Sequence, residues 1–364
     1  MAGPSPRPRI LDIQAYVGGK AEADGRQDVA KLSANESPLG PSPRAIEAYR
    51  AGAADLHRYP DGGSIAVREA LAAYSGKPAD RLVCGAGSDE LISLLLMAYA
   101  GPGDEVVHSA HGFLMYRIST QAVGATPVAA PEAALTTSVD AILERVTPRT
   151  RLVFVANPNN PTGTYVSAAE IRRLHAGLPE HVLLVLDAAY AEYVAPADYE
   201  DGMALADDAP NVVVLRTFSK IMGLAALRLG WCYAPAPVID VLNRVRGPFN
   251  VSVPAQRAGA AAVADRAHLA AARAHNDRWR PWLEAELARL GLPTTNGVGN
   301  FVLARCDTPE RANEVLATLE RGGVLARAMG GYGLPSCVRL SVGLEAECRR
   351  AIELLRPLAA ERVA

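Results

Sequence analysis

Lys220 follows an apolar run, NVVVL at 211–215, through the hydroxyl-bearing turn Thr217-Phe218-Ser219, and Arg228 comes eight residues later between two leucines. Charges set so close to core-like sequence need partners or a task. Three other apolar runs end on polar groups. LLVLDAAY closes on Asp187, with Tyr190 three residues on; VFVANPNNPTG closes on Asn157, Asn159 and Asn160; LVCGAGSDE closes on Gly85 and Gly87 ahead of Ser88 and Asp89. Prolines suppress helix and hold the asparagine side chains in a fixed turn. A glycine turn that opens a helix offers free backbone N–H groups to an anion. Singly, each feature is ordinary: a proline turn, an acidic cap, a surface lysine, and a G-x-G whose third dinucleotide-binding glycine is replaced by Glu90. Jointly, an anion cradle, an acid, an amide, a phenol and a lysine end separate strands of one sheet and are expected to converge on one crevice.

That set suits pyridoxal 5'-phosphate, a cofactor that the protein must position and tune electronically. A lysine has to form the Schiff base and be nucleophilic near neutrality. A carboxylate has to keep the pyridine nitrogen protonated. Donors are needed at the ring oxygen, and a helix N-terminus with an arginine at the phosphate. On this reading Lys220 is the Schiff-base lysine, and Arg228 is tolerated among leucines because a phosphate neutralises it.

The elements that must position these groups are legible from about residue 64. IAVREALAAYSG reads as a helix and RLVCGAG as a strand, and SDELISLLLMAYA reads as a helix with Ser88 at its cap. The runs DEVVHS, ATPVAA, TRLVFVANP, HVLLVLDAAY, NVVVLRTFS and RLGWCYAP follow, with helical patterns such as SAAEIRRLHAGL (167–178) between several of them. Continuous apolar strands alternating with helices predict an α/β fold with a mainly parallel seven-stranded sheet covered on both faces. After GPFNVSVPAQ the pattern becomes one long Ala/Arg-rich helical stretch, roughly 257–290, and then NFVLARC, ERANEVLATLERGG, VLARAM, CVRLSVG and a final helix. That order suits a smaller α+β domain. The expected division is an N-terminal arm over 1–35, packing on the small domain and a partner, a large domain over 36–250 and a small domain over 251–364.

The bulk numbers exclude other classes. At 364 residues the chain exceeds the roughly 250–300 that one core usually serves. A net charge of -2 favours neither nucleic acid nor an anionic membrane as partner. The longest apolar stretch, LISLLLMAYA, falls short of the roughly 18 residues a membrane span needs. The opening MAGPSPRPRI lacks an apolar signal core. Five scattered cysteines and seven histidines, with no C-x-x-C or H-x-x-x-H, argue against a metal site and fit a reducing cytoplasm.

Over nearly its whole length the chain resembles the fold type I, pyridoxal-phosphate-dependent class I/II aminotransferases, most closely the histidinol-phosphate aminotransferase branch. The resemblance lies in KLSANESPLGPSP, HRYPDG, GAGSDELI, NPNNPTG, LDAAYAEY, RTFSKIMGLAALRLGW, GPFNVS and VRLSVG. It implies that Lys220 binds the cofactor and moves the substrate proton, that Asp187 pairs with the pyridine nitrogen, and that Asn160 and Tyr190 bond the ring oxygen. It implies Phe113 at the ring-stacking position and Gly87, Ser88, Asp89, Thr217, Ser219 and Arg228 around the phosphate. Tyr59 would reach the cofactor phosphate of a partner subunit, so a homodimer is implied. Arg339 would clamp the substrate carboxylate, and Arg327 and Tyr16 would meet a distal phosphate. Ala188 and Ala226 depart from the family's usual glutamate and glycine without touching these atoms. The implied reaction moves an amino group between histidinol phosphate and 2-oxoglutarate in histidine biosynthesis. An aromatic amino acid aminotransferase, a threonine-phosphate decarboxylase and a non-catalytic cofactor-binding protein remain alternatives at this point.

Overall fold

The computed structural model describes residues 3–20, 22 and 28–360. The remaining parts of the expected arm (1–2, 21 and 23–27) and of the expected small domain (361–364) lie outside the described residues.

Seven strands form the central sheet, in the order Leu82–Gly85, Gly230–Tyr233, Val212–Thr217, Leu183–Asp187, Thr150–Ala156, Glu105–Ser109, Thr126–Ala130. Only Gly230–Tyr233 runs antiparallel to its neighbours. The apolar runs are continuous because both faces of the sheet are covered. Val153, Val155, Leu184, Leu186, Val212 and Val214 point into one core with helices Ile65–Ser75 and Ala168–Gly177. Leu152, Phe154, Leu183, Val185, Val213 and Leu215 point into the other, with Ser88–Tyr99, Leu114–Ala122 and Ala236–Val245. The period of two sends successive side chains to opposite faces, so a strand covered on both sides must be apolar throughout.

A three-stranded antiparallel sheet, Phe301–Arg305, Cys337–Ser341 and Arg327–Ala328, has its own core with helices Pro309–Arg321 and Glu345–Ala360. The N-terminal segment is tied to it: Ala30–Lys31 pairs in parallel with Val324–Leu325, and Leu32 accepts from the Ser341 N–H at 2.8 Å. This fixes Ser33, Ala34 and Asn35 between the two sheets.

Three sequence expectations change. The stretch 257–290 is two helices, Val253–Ala264 and Arg266–Arg289, broken at Asp265, whose carboxylate accepts from the His268 N–H and caps the second. Ala255, Ala258, Leu269 and Ala272 pack in the large-sheet core, whereas Leu283 and Leu287 pack in the small one. Division by core membership therefore falls inside helix Arg266–Arg289 and not at 250. Helix Ser88–Tyr99 is capped by Gly87 rather than Ser88, because the backbone leaves helical geometry at the glycine (φ 89°).

Candidate active site

The strand ends bring the chemistry together. Thr217 to Lys220, Asp187 to Tyr190, Ala156 to Asn160 and the turn into helix Ser88–Tyr99 all leave the same edge of the sheet. There they line a cleft of about 340 Å³, a size usual for small-ligand sites. Its far wall is Tyr16, Ala34, Asn35, Arg327 and Arg339 from the N-terminal segment and the small sheet.

Lys220 Nζ donates to the Ala34 carbonyl at 3.2 Å and stands 5.6 Å from the centre of the Tyr190 ring. The chain has four lysines. Lys20, Lys31 and Lys77 pair with Glu320, Glu36 and Asp207. Among the described residues Lys220 alone has no carboxylate partner.

Asp187 is 5% exposed, and burial pushes its carboxyl up to about 6, against the opposing hydrogen bond from Tyr116. One oxygen, Oδ2, accepts from the Tyr116 phenol at 2.7 Å; the other, Oδ1, is buried without a partner. An unpaired buried acceptor of this kind is costly unless a ligand completes it. The Tyr190 hydroxyl accepts from Asn35 Nδ2 at 3.0 Å. Asn35 is itself fixed by Ser341, whose hydroxyl accepts its N–H at 2.7 Å.

Both X-Pro bonds of the proline turn, Asn157-Pro158 and Asn160-Pro161, are in the cis form. Asn157 closes it with two bonds to Val166, of 2.8 and 2.9 Å, and Asn159 donates to Thr162 at 3.0 Å. Asn160 is the one whose side chain reaches the cleft, and its Oδ1 accepts from Arg339. Phe113, half-buried on the wall, meets Tyr16 and Tyr116 edge-on at 6.4 and 5.9 Å.

Arg228 corrects the sequence reading. Its guanidinium is exposed, because the backbone turns left-handed there (φ 50°) while Leu229 goes inward. It pairs with Asp89 at 3.0 Å and donates to Ser219 Oγ at 3.3 Å. No phosphate is needed to tolerate it beside the leucines, and Asp89 meets the arginine directly. The cradle is nevertheless built for close approach. Gly87 has φ 89°, and a Cβ there would lie 2.5 Å from Arg228 Nη2. Thr217 Oγ1 accepts from the Ser219 N–H at 3.1 Å and holds the Lys220 turn.

Arg327 and Arg339 are register partners on adjacent antiparallel strands, 9% and 3% exposed. Arg327 donates to the Val17 carbonyl at 2.8 Å and lies 5.4 Å from the Tyr16 ring centre. Arg339 donates to the Ser33 carbonyl at 3.0 Å, its Nε is buried without a partner, and burial pulls its guanidinium below the ordinary value. Tyr59 is not in the cleft: it is 83% exposed and stacks on Phe249 at 4.7 Å.

Sequence reasoning missed Tyr116 and Asn35. Asn35 stands in the quoted stretch KLSANESPLGPSP and Tyr116 three residues past Phe113 in HGFLMYRI, but nothing in periodicity says which phenol or amide meets which partner. The orphan Oδ1 of Asp187 and the glycine cradle beside Arg228 fit a ring nitrogen and a phosphate, as pyridoxal phosphate would present. Lys220 would supply the amine.

Comparison with known proteins shows the family. The family model of class I and II aminotransferases matches residues 27–355. A histidinol-phosphate aminotransferase of Paramagnetospirillum magneticum is 53% identical over 98% of this chain and 99% of its own. One from Dinoroseobacter shibae is 54% identical over 98% of both. The crystal structure of histidinol-phosphate aminotransferase from Sinorhizobium meliloti in complex with pyridoxal-5'-phosphate superposes with a TM-score of 0.92 at 29% identity, covering 99% of each chain.

Proposed function

We infer from its membership of the class I and II aminotransferases, to which the chain belongs through the histidinol-phosphate aminotransferases, that it transfers an amino group between histidinol phosphate and 2-oxoglutarate, with pyridoxal phosphate as cofactor, in histidine biosynthesis. The fold is that of the fold type I enzymes. The observation that carries the substrate reading is the arginine pair. Like charges facing each other across two strands repel, and buried cations without counter-charge are costly. Neither Arg327 nor Arg339 has a carboxylate partner among the described residues, so the cleft calls for an anion. A substrate phosphate supplies one, as do the two carboxylates of glutamate.

When bound, pyridoxal phosphate supplies an electron sink for the bond that breaks at the substrate carbon. Lys220 would hold its aldehyde carbon, Asp187 Oδ1 its pyridine nitrogen, and Ser219, Arg228 and the N–H groups that open helix Ser88–Tyr99 its phosphate. The Lys220 amine would act as the base that takes the proton from the substrate carbon and as the acid that gives it back. Asn160 and Tyr190 would donate at the ring oxygen, and Phe113 would pack against the ring face. Arg339 orients the carboxylate of glutamate, and Arg327 with Tyr16 holds the distal phosphate.

The exposed Tyr59–Phe249 stack, lying outside its own cleft, supports a homodimer in which Tyr59 completes the partner's phosphate site. A sedimentation mass of one chain would remove that reading. No described helix is long and apolar enough to cross a membrane. All five cysteines are unpaired and buried, which supports a cytoplasmic enzyme.

The test is a comparison of amino donors. With 2-oxoglutarate as acceptor, kcat/KM for histidinol phosphate should exceed that for phenylalanine or tyrosine by at least about tenfold, the worth of one charge-assisted hydrogen bond. Equal values would contradict a phosphate site.

A further inference from the structure

The acid that ends strand Leu183–Asp187 is held from a different part of the fold. Tyr116, on helix Leu114–Ala122, donates its phenol to Asp187 Oδ2 at 2.7 Å. Its ring is 1% exposed, stacked on Phe154 at 4.7 Å and 13°, and met edge-on by Phe113. The hydroxyl therefore has little room to move. Asp187 Oδ1 is buried with no partner, and Asp187 is one of the residues lining the cleft.

We propose that Tyr116 is a positioning residue of this site: its phenol fixes one oxygen of Asp187 and leaves the other turned toward the cofactor's pyridine nitrogen. The inference rests on the reading that Asp187 pairs with pyridoxal phosphate. A carboxyl group turns readily about its last bond, whose torsional preference is broad. Burial alone would not choose between its two oxygens; a donor locked on one of them does. The donor is also permanent. Burial, and then the nearby Asp187 charge, push the Tyr116 phenol well above its ordinary value, so it keeps its proton.

The other groups that act on the carboxyl are the Asp89 charge, which raises it, and the Ala189 N–H and Lys220, which lower it. Only Tyr116 binds Oδ2 through a side chain. Its loss should both release the carboxylate and move its titration to higher pH, because the Tyr116 hydrogen bond lowers the carboxyl.

Tyr116→Phe keeps the ring stack and removes only the hydroxyl. The readout is binding of pyridoxal phosphate to the apo-protein across a pH series, with thermal unfolding of the apo-variant to show that it folds. Near neutrality the variant should bind about tenfold more weakly than wild type, and its binding midpoint should shift to higher pH. The ratio between the two proteins cancels the cofactor's own ionisations. In an Asp187→Asn background the same substitution should change nothing further, since the phenol acts through that carboxylate. Unchanged affinity and pH profile, or an equal loss in the Asp187→Asn background, would overturn the proposal. Wild-type apo-protein that takes up no pyridoxal phosphate would instead overturn the cofactor reading on which it rests.

Discussion

Burial raises the Asp187 carboxyl from 3.8 to about 6 in the protein without ligand, and the sign of that shift has a measurable consequence. An acid whose folded pKa lies above its unfolded one stabilises the fold below the unfolded value and loses that contribution as pH climbs through the folded one. Between about pH 4 and pH 6 the apo-protein therefore loses stability through this group, by roughly 3 kcal/mol in all. Asp187→Asn cannot ionise. It should raise the urea midpoint of the apo-protein at about pH 8, leave it little changed near pH 4, and abolish transamination. A variant no more stable than wild type at the higher pH would show that the carboxyl is not desolvated. The same residue illustrates what sequence could and could not say. An acid ending an apolar run can be read from the letters. The phenol that binds it, from a helix 71 positions earlier, and the amide of Asn35 on Tyr190 cannot, because such partners are set by tertiary packing. Arg228 was misread for a related reason: flanking leucines suggested burial, but a left-handed backbone turned the side chain outward to Asp89.

At the scale of elements, Arg216 shows how the strand ends are braced. It lies in strand Val212–Thr217, 3% exposed, and pairs with Glu192 at 2.7 Å and Asp201 at 2.8 Å, with the Trp231 ring centre 5.5 Å away. Glu192 belongs to the short turn after Asp187 and Asp201 to the approach to helix Met203–Asp208, so one cation ties three segments beside the cleft. Arg216→Met would leave two carboxylates without their cation and should cost about 3–5 kcal/mol in a urea titration, as breaking a buried pair does. Adding Glu192→Gln should recover part of it. A loss below about 1 kcal/mol would mean that water screens the cluster. Six of the seven strands of the large sheet are buried almost throughout and were legible as apolar runs for that reason; the edge strand Thr126–Ala130, mostly unburied, was legible only as a short apolar run. Less legible were the punctuations. Asp265 reads as one more polar residue in a helical stretch until its carboxylate is seen capping the next helix. VLARAM reads as one strand, yet its halves, Val324–Leu325 and Arg327–Ala328, pair in different sheets.

For the whole molecule, the cleft exists only because two sheets face each other. The large sheet supplies the lysine, the acid and the anion cradle; the small sheet and the N-terminal segment supply both arginines, the Ala34 carbonyl and Asn35. Sequence periodicity found both sheets but set their boundary at 250, since a helix shared between two cores looks the same as a helix belonging to one. That residue 220 carries the cofactor can be tested directly, because only four lysines exist in the whole sequence. Reduction of the holoenzyme with borohydride followed by peptide mapping places the cofactor on one of them. The label is expected on the peptide containing Lys220 and on no other. A label on Lys20, Lys31 or Lys77, or full activity in an enzyme that takes up none, would contradict it.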